Sequence, residues 1–204
     1  MQRRLFALTA SAALLVLAGC QRAAEPAAPA AAPAGPADVP AATNPAAAQA
    51  RDAYTLAATG KGFSTGPIMS AHTVYVFFDT TCPHCAELWN ASQPLLGKLK
   101  MVWMPIGLLR PSSLPQGATI LAAADPAKAM TENEASVLQR GGGISVASSL
   151  PDEVVAKVKA NTDLFRQLDA DSVPLIVYRN AQTGQHGMHA GSLDTASLAS
   201  LAGI

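Results

Sequence analysis

The chain has no excess of charge of either sign: 14 Lys and Arg stand against 14 Asp and Glu, a formal net charge of +0 over 204 residues. It has no basic run and no basic patch interleaved with aromatics, so the electrostatic footprint of a nucleic-acid-binding protein is missing. It has only three cysteines, too few for the disulfide framework that staples a small secreted domain. Its one long apolar run, Leu5 to Ala18, is shorter than the ~20 residues a lasting membrane span requires. No internal repeat is visible.

What is present begins with that run. Arg3 and Arg4 precede it, the charged-then-apolar pattern of a secretory signal. It ends in Leu17-Ala18-Gly19-Cys20, which resembles the lipobox of bacterial lipoproteins, where small residues admit the signal peptidase and the cysteine sulfur carries a diacylglycerol. A plain signal peptide needs no cysteine at that place. The expectation is a signal peptide over 1–19 and lipid attachment at Cys20, with membrane binding supplied by acyl chains at about 0.8 kcal/mol per buried methylene. Gln21 follows the cysteine where Asp would suggest inner-membrane retention, which favours the outer membrane over the inner. Residues 20–50 are nearly all Ala and Pro. Proline removes amide donors and alanine offers little apolar area, so this stretch is expected to be an extended linker, with a single folded domain over 51–204.

Within that domain, Arg51 to Thr59 suits a short helix before a turn at Gly60 and Gly62. Thr73-Val74-Tyr75-Val76-Phe77-Phe78 is a β-branched and aromatic run, as for a strand buried on both faces. Asp79-Thr80-Thr81 breaks it, and a helix is expected from Cys82 towards Leu96, with Pro83 in its first turn and a bend at Pro94. Lys100 to Ile106 reads as a second strand. Helices are expected over Gln116–Ala124, from Asp125-Pro126 to Arg140, and from Pro151 to about Leu168. A strand over 173–178, a hairpin at Asn180–Gly184, an edge strand over 185–190 and a last helix over 192–202, capped by Ser192 or Asp194, complete the chain. This order describes an α/β protein with a thioredoxin-like sheet and an inserted helical subdomain.

Cys82-Pro83-His84-Cys85 is the segment that carries chemistry. Disulfide exchange needs one thiolate to attack and a second thiol near enough to resolve the mixed disulfide. Two intervening residues at a helix start supply both: the first sulfur lies exposed at the positive end of the helix dipole and the second about one turn further in. Cys82 is therefore expected to be the nucleophile and Cys85 the resolving thiol. His84 adds positive charge beside Cys82, which favours the thiolate and makes the disulfide more oxidising. Pro83 stiffens the loop. Asp79, three residues before Cys82, reads either as a proton relay for Cys85 or as an ordinary turn residue, and Glu87 as a solvated first-turn charge. Trp89 and Trp103 read as core. Cys85 is followed by Ala86 and not by His, which excludes a c-type haem attachment.

Val76-Phe77-Phe78-Asp79-Thr80-Thr81-Cys82-Pro83-His84-Cys85 resembles the active-site segment of the periplasmic Dsb thiol:disulfide interchange proteins. Trp103-Met104-Pro105-Ile106-Gly107, Asp125-Pro126-Ala127-Lys128-Ala129 and Val173-Pro174-Leu175-Ile176 resemble the catalytic domain of the DsbC/DsbG branch. The resemblance covers about Val74 to the C-terminus. It implies a thioredoxin fold, with Val173 and a cis Pro174 lying against the sulfurs to form a substrate groove. It also implies protein thiols or disulfides of the envelope as substrate, a membrane redox partner that resets the dithiol, and no cofactor beyond the Cys82–Cys85 pair. In that branch a dimerisation domain precedes the catalytic one, where this chain has its Ala/Pro stretch. Pro83-His84 and Val173 are closer to the DsbA oxidase. The direction of exchange, oxidase or reductase/isomerase, stays open at this point.

A reading of another class is a metal-binding lipoprotein, in which Cys82, Cys85, His186 and His189 form a Cys₂His₂ site for zinc and Met188 adds a soft ligand for copper. The two histidines are spaced unlike those of a zinc finger, and exposed histidine on an edge strand is ordinary.

Overall fold

The computed structural model describes residues 44–70 and 72–204. The expected signal peptide, the expected lipid attachment at Cys20 and most of the stretch expected to be a linker lie outside them. Among the described residues no helix is long and apolar enough to cross a membrane.

Five strands form one mixed sheet: β1 (Phe63–Thr65), β2 (Thr73–Asp79), β3 (Lys100–Ile106), β4 (Leu175–Arg179) and β5 (His186–Ala190), in the order β1-β3-β2-β4-β5. β2 and β3 run parallel, and the other three pairs are antiparallel. β2 is central. Val74, Val76, Phe77 and Phe78 are all buried, so the apolar run without alternation is a strand covered on both faces.

Among the described residues six α-helices accompany the sheet: α1 (Pro45–Ala57), α2 (Pro83–Ser92), α3 (Ser113–Ala122), α4 (Pro126–Leu138), α5 (Asp152–Gln167) and α6 (Thr195–Ala202). α2 carries the parallel crossover from β2 to β3. The core is aromatic at its centre: the Trp103 ring meets Trp89 at 4.9 Å between centroids and Phe78 at 6.1 Å, both edge to face. The Trp103 indole donates to Thr65 Oγ1 at 3.1 Å, which satisfies its one polar atom and ties the edge strand to the core.

Several boundaries differ from those read in the sequence. α1 starts at Pro45, inside the stretch assigned to the linker, and not at Arg51. No proline occurs between Pro45 and Pro67, so the alanines there are free to express their helix propensity. Pro45 opens the helix where its missing amide is harmless, and Asn44 caps it by accepting from the Ala46 amide at 3.1 Å. β1 was not expected at all. It is three residues long, and Gly62 before it passes so close to β3 that a Cβ would sit 2.2 Å from the Trp103 carbonyl oxygen. The helix after Cys82 does not bend at Pro94; it ends at Ser92 and passes into a 3-10 turn over Gln93–Leu95. α3 begins at Ser113, earlier than expected. β4 begins only at Leu175, leaving Val173 and Pro174 outside the ladder. The expected cap Asp194 does cap α6, accepting from the Ser197 amide at 2.7 Å.

Candidate active site

Cys82 is the N-cap residue of α2, and Pro83 and His84 form the start of its first turn. The Cys82 amide donates to the Asp79 carbonyl at 3.1 Å, and the amides of Cys85 and Ala86 both donate to the Cys82 carbonyl, at 3.1 and 3.3 Å. Cys82 has no capping side-chain hydrogen bond, so its sulfur is left facing the first-turn amides. Both cysteines are free thiols.

The two thiols have opposite environments. The Cys82 pKa falls from 9.0 to about 7, first because the Cys85 thiol hydrogen-bonds to it. Burial works against this, and the backbone amides of Cys85 and His84 and then the His84 charge add to the lowering. Cys85 is 0% exposed, and burial, followed by the hydrogen bond to Cys82, pushes its thiol well above the ordinary value. Cys82 is thus the thiol that ionises more readily, and Cys85 the one that holds its proton.

Cys82 is not exposed, as the helix-start argument had it, but only 4% accessible. The segment before β4 lies over it: the Cys82 thiol donates to the Val173 carbonyl oxygen at 3.6 Å. The Val173–Pro174 peptide is cis. Because β4 starts one residue later, the Val173 backbone is not consumed by the sheet.

His84 is exposed, and its Nδ1 lies 2.9 Å from Glu87 Oε2, which also accepts from Ser192 Oγ at 3.0 Å. The hydrogen bond and charge of Glu87 raise the His84 pKa, and His84 and Ser192 in turn lower that of Glu87. Glu87 is therefore more than a solvated first-turn charge. It fixes the imidazole and links α2 to the loop after β5.

Asp79 is fully buried at the end of β2. Its Oδ1 accepts from the Thr81 amide (2.9 Å), Thr81 Oγ1 (2.8 Å) and Ser113 Oγ (2.7 Å), and its Oδ2 from the amides of Leu108 and Leu109 (2.9 and 2.8 Å). Five donors surround the carboxylate. It clamps the β2–α2 turn to the loop after β3.

The helical insert holds the same turn from the other side. Asn133 Nδ2 of α4 donates to the Thr80 carbonyl at 2.9 Å, and its Oδ1 accepts from the Ile144 amide at 2.8 Å. Thr80 Oγ1 donates to Gln116 Oε1 at 3.0 Å, and Gln116 Nε2 donates to the carbonyls of Gly142 and Ile144. Gly143, at φ +94°, passes where a Cβ would lie 2.8 Å from Asn133 Oδ1, so the glycine run that interrupts the insert admits this approach. Beside Asn133, Glu134 is 1% exposed, with neither carboxyl oxygen hydrogen-bonded. Burial raises its pKa to about 9; the Asn133 side chain works against this, and the charges of Cys82 and Asp79 add to the rise.

These contributors were missed in the sequence, though one signal was there. The buried residues of α4 are Ala129, Met130, Asn133, Glu134 and Val137, a helical stripe whose period puts two polar residues on the inner face.

The residues of the metal reading are not brought together. His186 sits on β5 against the edge of the Tyr54 ring (5.1 Å between centroids) and His189 pairs with Ile176. Among the described residues no three His, Cys, Asp or Glu side chains converge as ligands.

No family model matches the chain. It is 33% identical over 113 residues to the thiol:disulfide interchange protein DsbG of Escherichia coli K12, covering 53% of this chain and 44% of that protein. Against DsbG of Pseudomonas aeruginosa it is 29% identical over 111 residues, covering 53% and 43%. The match thus spans less than half the length of these relatives. Among solved structures, ScsC of Proteus mirabilis in a transitional conformation superposes with a TM-score of 0.60 at 18% identity, covering 77% of each chain. A disulfide interchange protein of Neisseria gonorrhoeae gives 0.55 at 22% identity, covering 70% of this chain and 93% of that one. The described residues form a thioredoxin-like domain of the kind found in the Dsb thiol:disulfide interchange proteins.

Proposed function

We propose that the protein is a thiol:disulfide oxidoreductase of the periplasm, held to a membrane through Cys20, which exchanges disulfides with envelope proteins through Cys82 and Cys85. The observation that carries the reading is the split between the two thiols: Cys82 lowered to about 7 at the start of α2, and Cys85 buried behind it and pushed up. In the oxidative direction a substrate thiolate attacks Cys82 of the disulfide, the S–S bond breaks and Cys85 leaves with its electron pair. A second substrate thiolate then attacks the substrate sulfur and releases Cys82, a good leaving group because its thiolate is stable. In the reductive direction the Cys82 thiolate opens a substrate disulfide, and Cys85 closes on Cys82 to release the second substrate thiol. The Val173 backbone offers a carbonyl to an extended substrate segment beside the sulfur, a role for which its place outside the β4 ladder speaks. A membrane redox partner restores the working state of the pair.

Cys85→Ser tests the assignment. It should accumulate mixed disulfides with envelope proteins, since attack by Cys82 proceeds and resolution does not, whereas Cys82→Ser should trap almost none. The reverse pattern would exchange the two roles. The redox state of the pair in cells assigns direction: mostly oxidised means oxidase, mostly reduced means reductase or isomerase.

A further inference from the structure

A carboxylic acid buried without a hydrogen-bond partner is costly to keep, and Glu134 is one. It is 1% exposed on the inner stripe of α4, and α4 packs against α2, the helix that starts at the dithiol. It lies within electrostatic reach of both sulfurs, acting on the Cys85 thiol and being acted on by Cys82. Its neighbour Asn133 is bonded to the turn directly before Cys82. The other buried carboxyl of this region, Asp79, has its oxygens filled by five donors. Cys85, which must lose a proton before it can attack, is fully buried.

We infer that Glu134 is the proton-relay group of Cys85, an inference that rests on the exchange reading above. When the protein closes its disulfide, the Glu134 carboxylate takes the proton of the Cys85 thiol. The Cys85 sulfur bonds to Cys82, the bond from Cys82 to the substrate sulfur breaks, and the substrate leaves as a thiolate that is protonated by water. When a substrate thiolate opens the disulfide, Cys85 departs with the electron pair and receives the proton of the Glu134 carboxyl. The coupling has the required sense. Burial and the Cys82 charge hold the carboxyl protonated, with a pKa of about 9. A mixed disulfide at Cys82 is neutral and removes that charge, so the carboxyl ionises more readily when Cys85 needs a base. The titratable groups that face Glu134 are Cys82 and Cys85 at the start of α2 and Asp79 at the end of β2. His84 and Glu87 of α2 are exposed and paired with each other. α3 and β1, also packed on α4, contain no titratable residue.

The test uses the full chain, reduced, with oxidised glutathione as the probe, comparing wild type with Glu134→Gln in acid-quenched samples read by mass spectrometry. Gln is neutral, like the protonated acid, so formation of the Cys82–glutathione adduct should be unchanged within about twofold. Closure by Cys85 should slow about 100-fold, the lower end of what a positioned acid or base contributes, and the adduct should accumulate. The wild-type closure rate should depend on pH through the Glu134 ionisation, and this limb should be missing in the variant. Closure within about twofold of wild type, with the same pH profile, overturns the relay and leaves the exchange reading standing. Absence of any Cys82 adduct in both proteins overturns the exchange reading and the relay with it. Should the variant fail to fold, carbon-13 NMR of the Glu134 carboxyl in the wild type decides. A midpoint near 9 that falls when Cys82 is blocked with iodoacetamide supports the relay; an ordinary 4.5 in both states overturns it.

Discussion

Keeping Glu134 protonated has a consequence for stability that is separate from its rate effect. In the unfolded chain its carboxyl ionises near 4.5, and in the folded reduced protein only near 9. Below 4.5 both states carry the proton and Glu134 contributes no pH dependence. Between the two values the folded state holds a proton that the unfolded state has released, so stability falls as pH rises, by about 1.4 kcal/mol per pH unit. Above 9 both states are ionised and the cost no longer grows. From pH 5.5 to 7.5 the reduced wild type should therefore lose about 3 kcal/mol through this one group, a large share of the 5–15 kcal/mol typical of a domain. Glu134→Gln removes that component and nothing else that titrates. Urea unfolding of both proteins across this range, extrapolated linearly, should give two curves that diverge with pH, the variant gaining on the wild type. Contributions from groups outside electrostatic reach of Glu134 are common to both and cancel in the difference. Curves that stay parallel, within about 0.3 kcal/mol per pH unit on this scale, would refute the claim that the carboxyl is kept neutral by burial.

Three further outcomes are expected. His84→Ala should raise the Cys82 pKa while leaving it below 9.0, because the His84 charge is the least of the causes that lower it. The reduction potential should move down towards the thioredoxin value of about −270 mV, and the pH profile of iodoacetamide labelling reads the first of these. Asp79→Ala should destabilise the domain by about 3 kcal/mol or more, since it orphans the buried Ser113 hydroxyl and the amides of Leu108 and Leu109; a thermal or urea midpoint within experimental scatter of wild type would contradict the clamp. Cys20→Ser should leave the domain folded and release it from the membrane fraction or leave an uncleaved precursor, whereas an unmutated mature protein that is soluble and carries no acyl mass would refute lipid attachment.

What was legible in the sequence is what short-range patterns encode. The apolar run of β2, Pro83 at the first helical position, Asp125 before Pro126 and the Val-Pro pair before β4 each signal an element by local rules, and the structure has all four. What was not legible depends on residues far apart in the chain. β1 is too short to show a period, and it exists because β3 offers it a partner about forty residues on, at Trp103, Val102 and Met101. The near-burial of Cys82 comes from Val173, 91 residues away. Asn133 and Glu134 sit in a segment whose composition looks solvated, and only the period of its buried positions places them inward. The alanines before Arg51 share their composition with the stretch that precedes them and hide the start of α1; the position of Pro45 is the finer guide.

The turn that presents Cys82 is made of contacts that span the chain. Asp79 reaches Leu108 and Ser113, 29 and 34 residues on, Thr80 reaches Asn133, 53 on, and Cys82 itself reaches Val173. Contacts of such separation carry a loop-closure cost that local ones do not, and they form once the intervening chain is ordered. The presentation of Cys82 is therefore a property of the whole domain, and a change in α3, in α4 or in the segment before β4 acts on it at a distance. Its acidity is local by contrast: the Cys85 thiol, the amides of Cys85 and His84 and the His84 charge all lie within three residues of it.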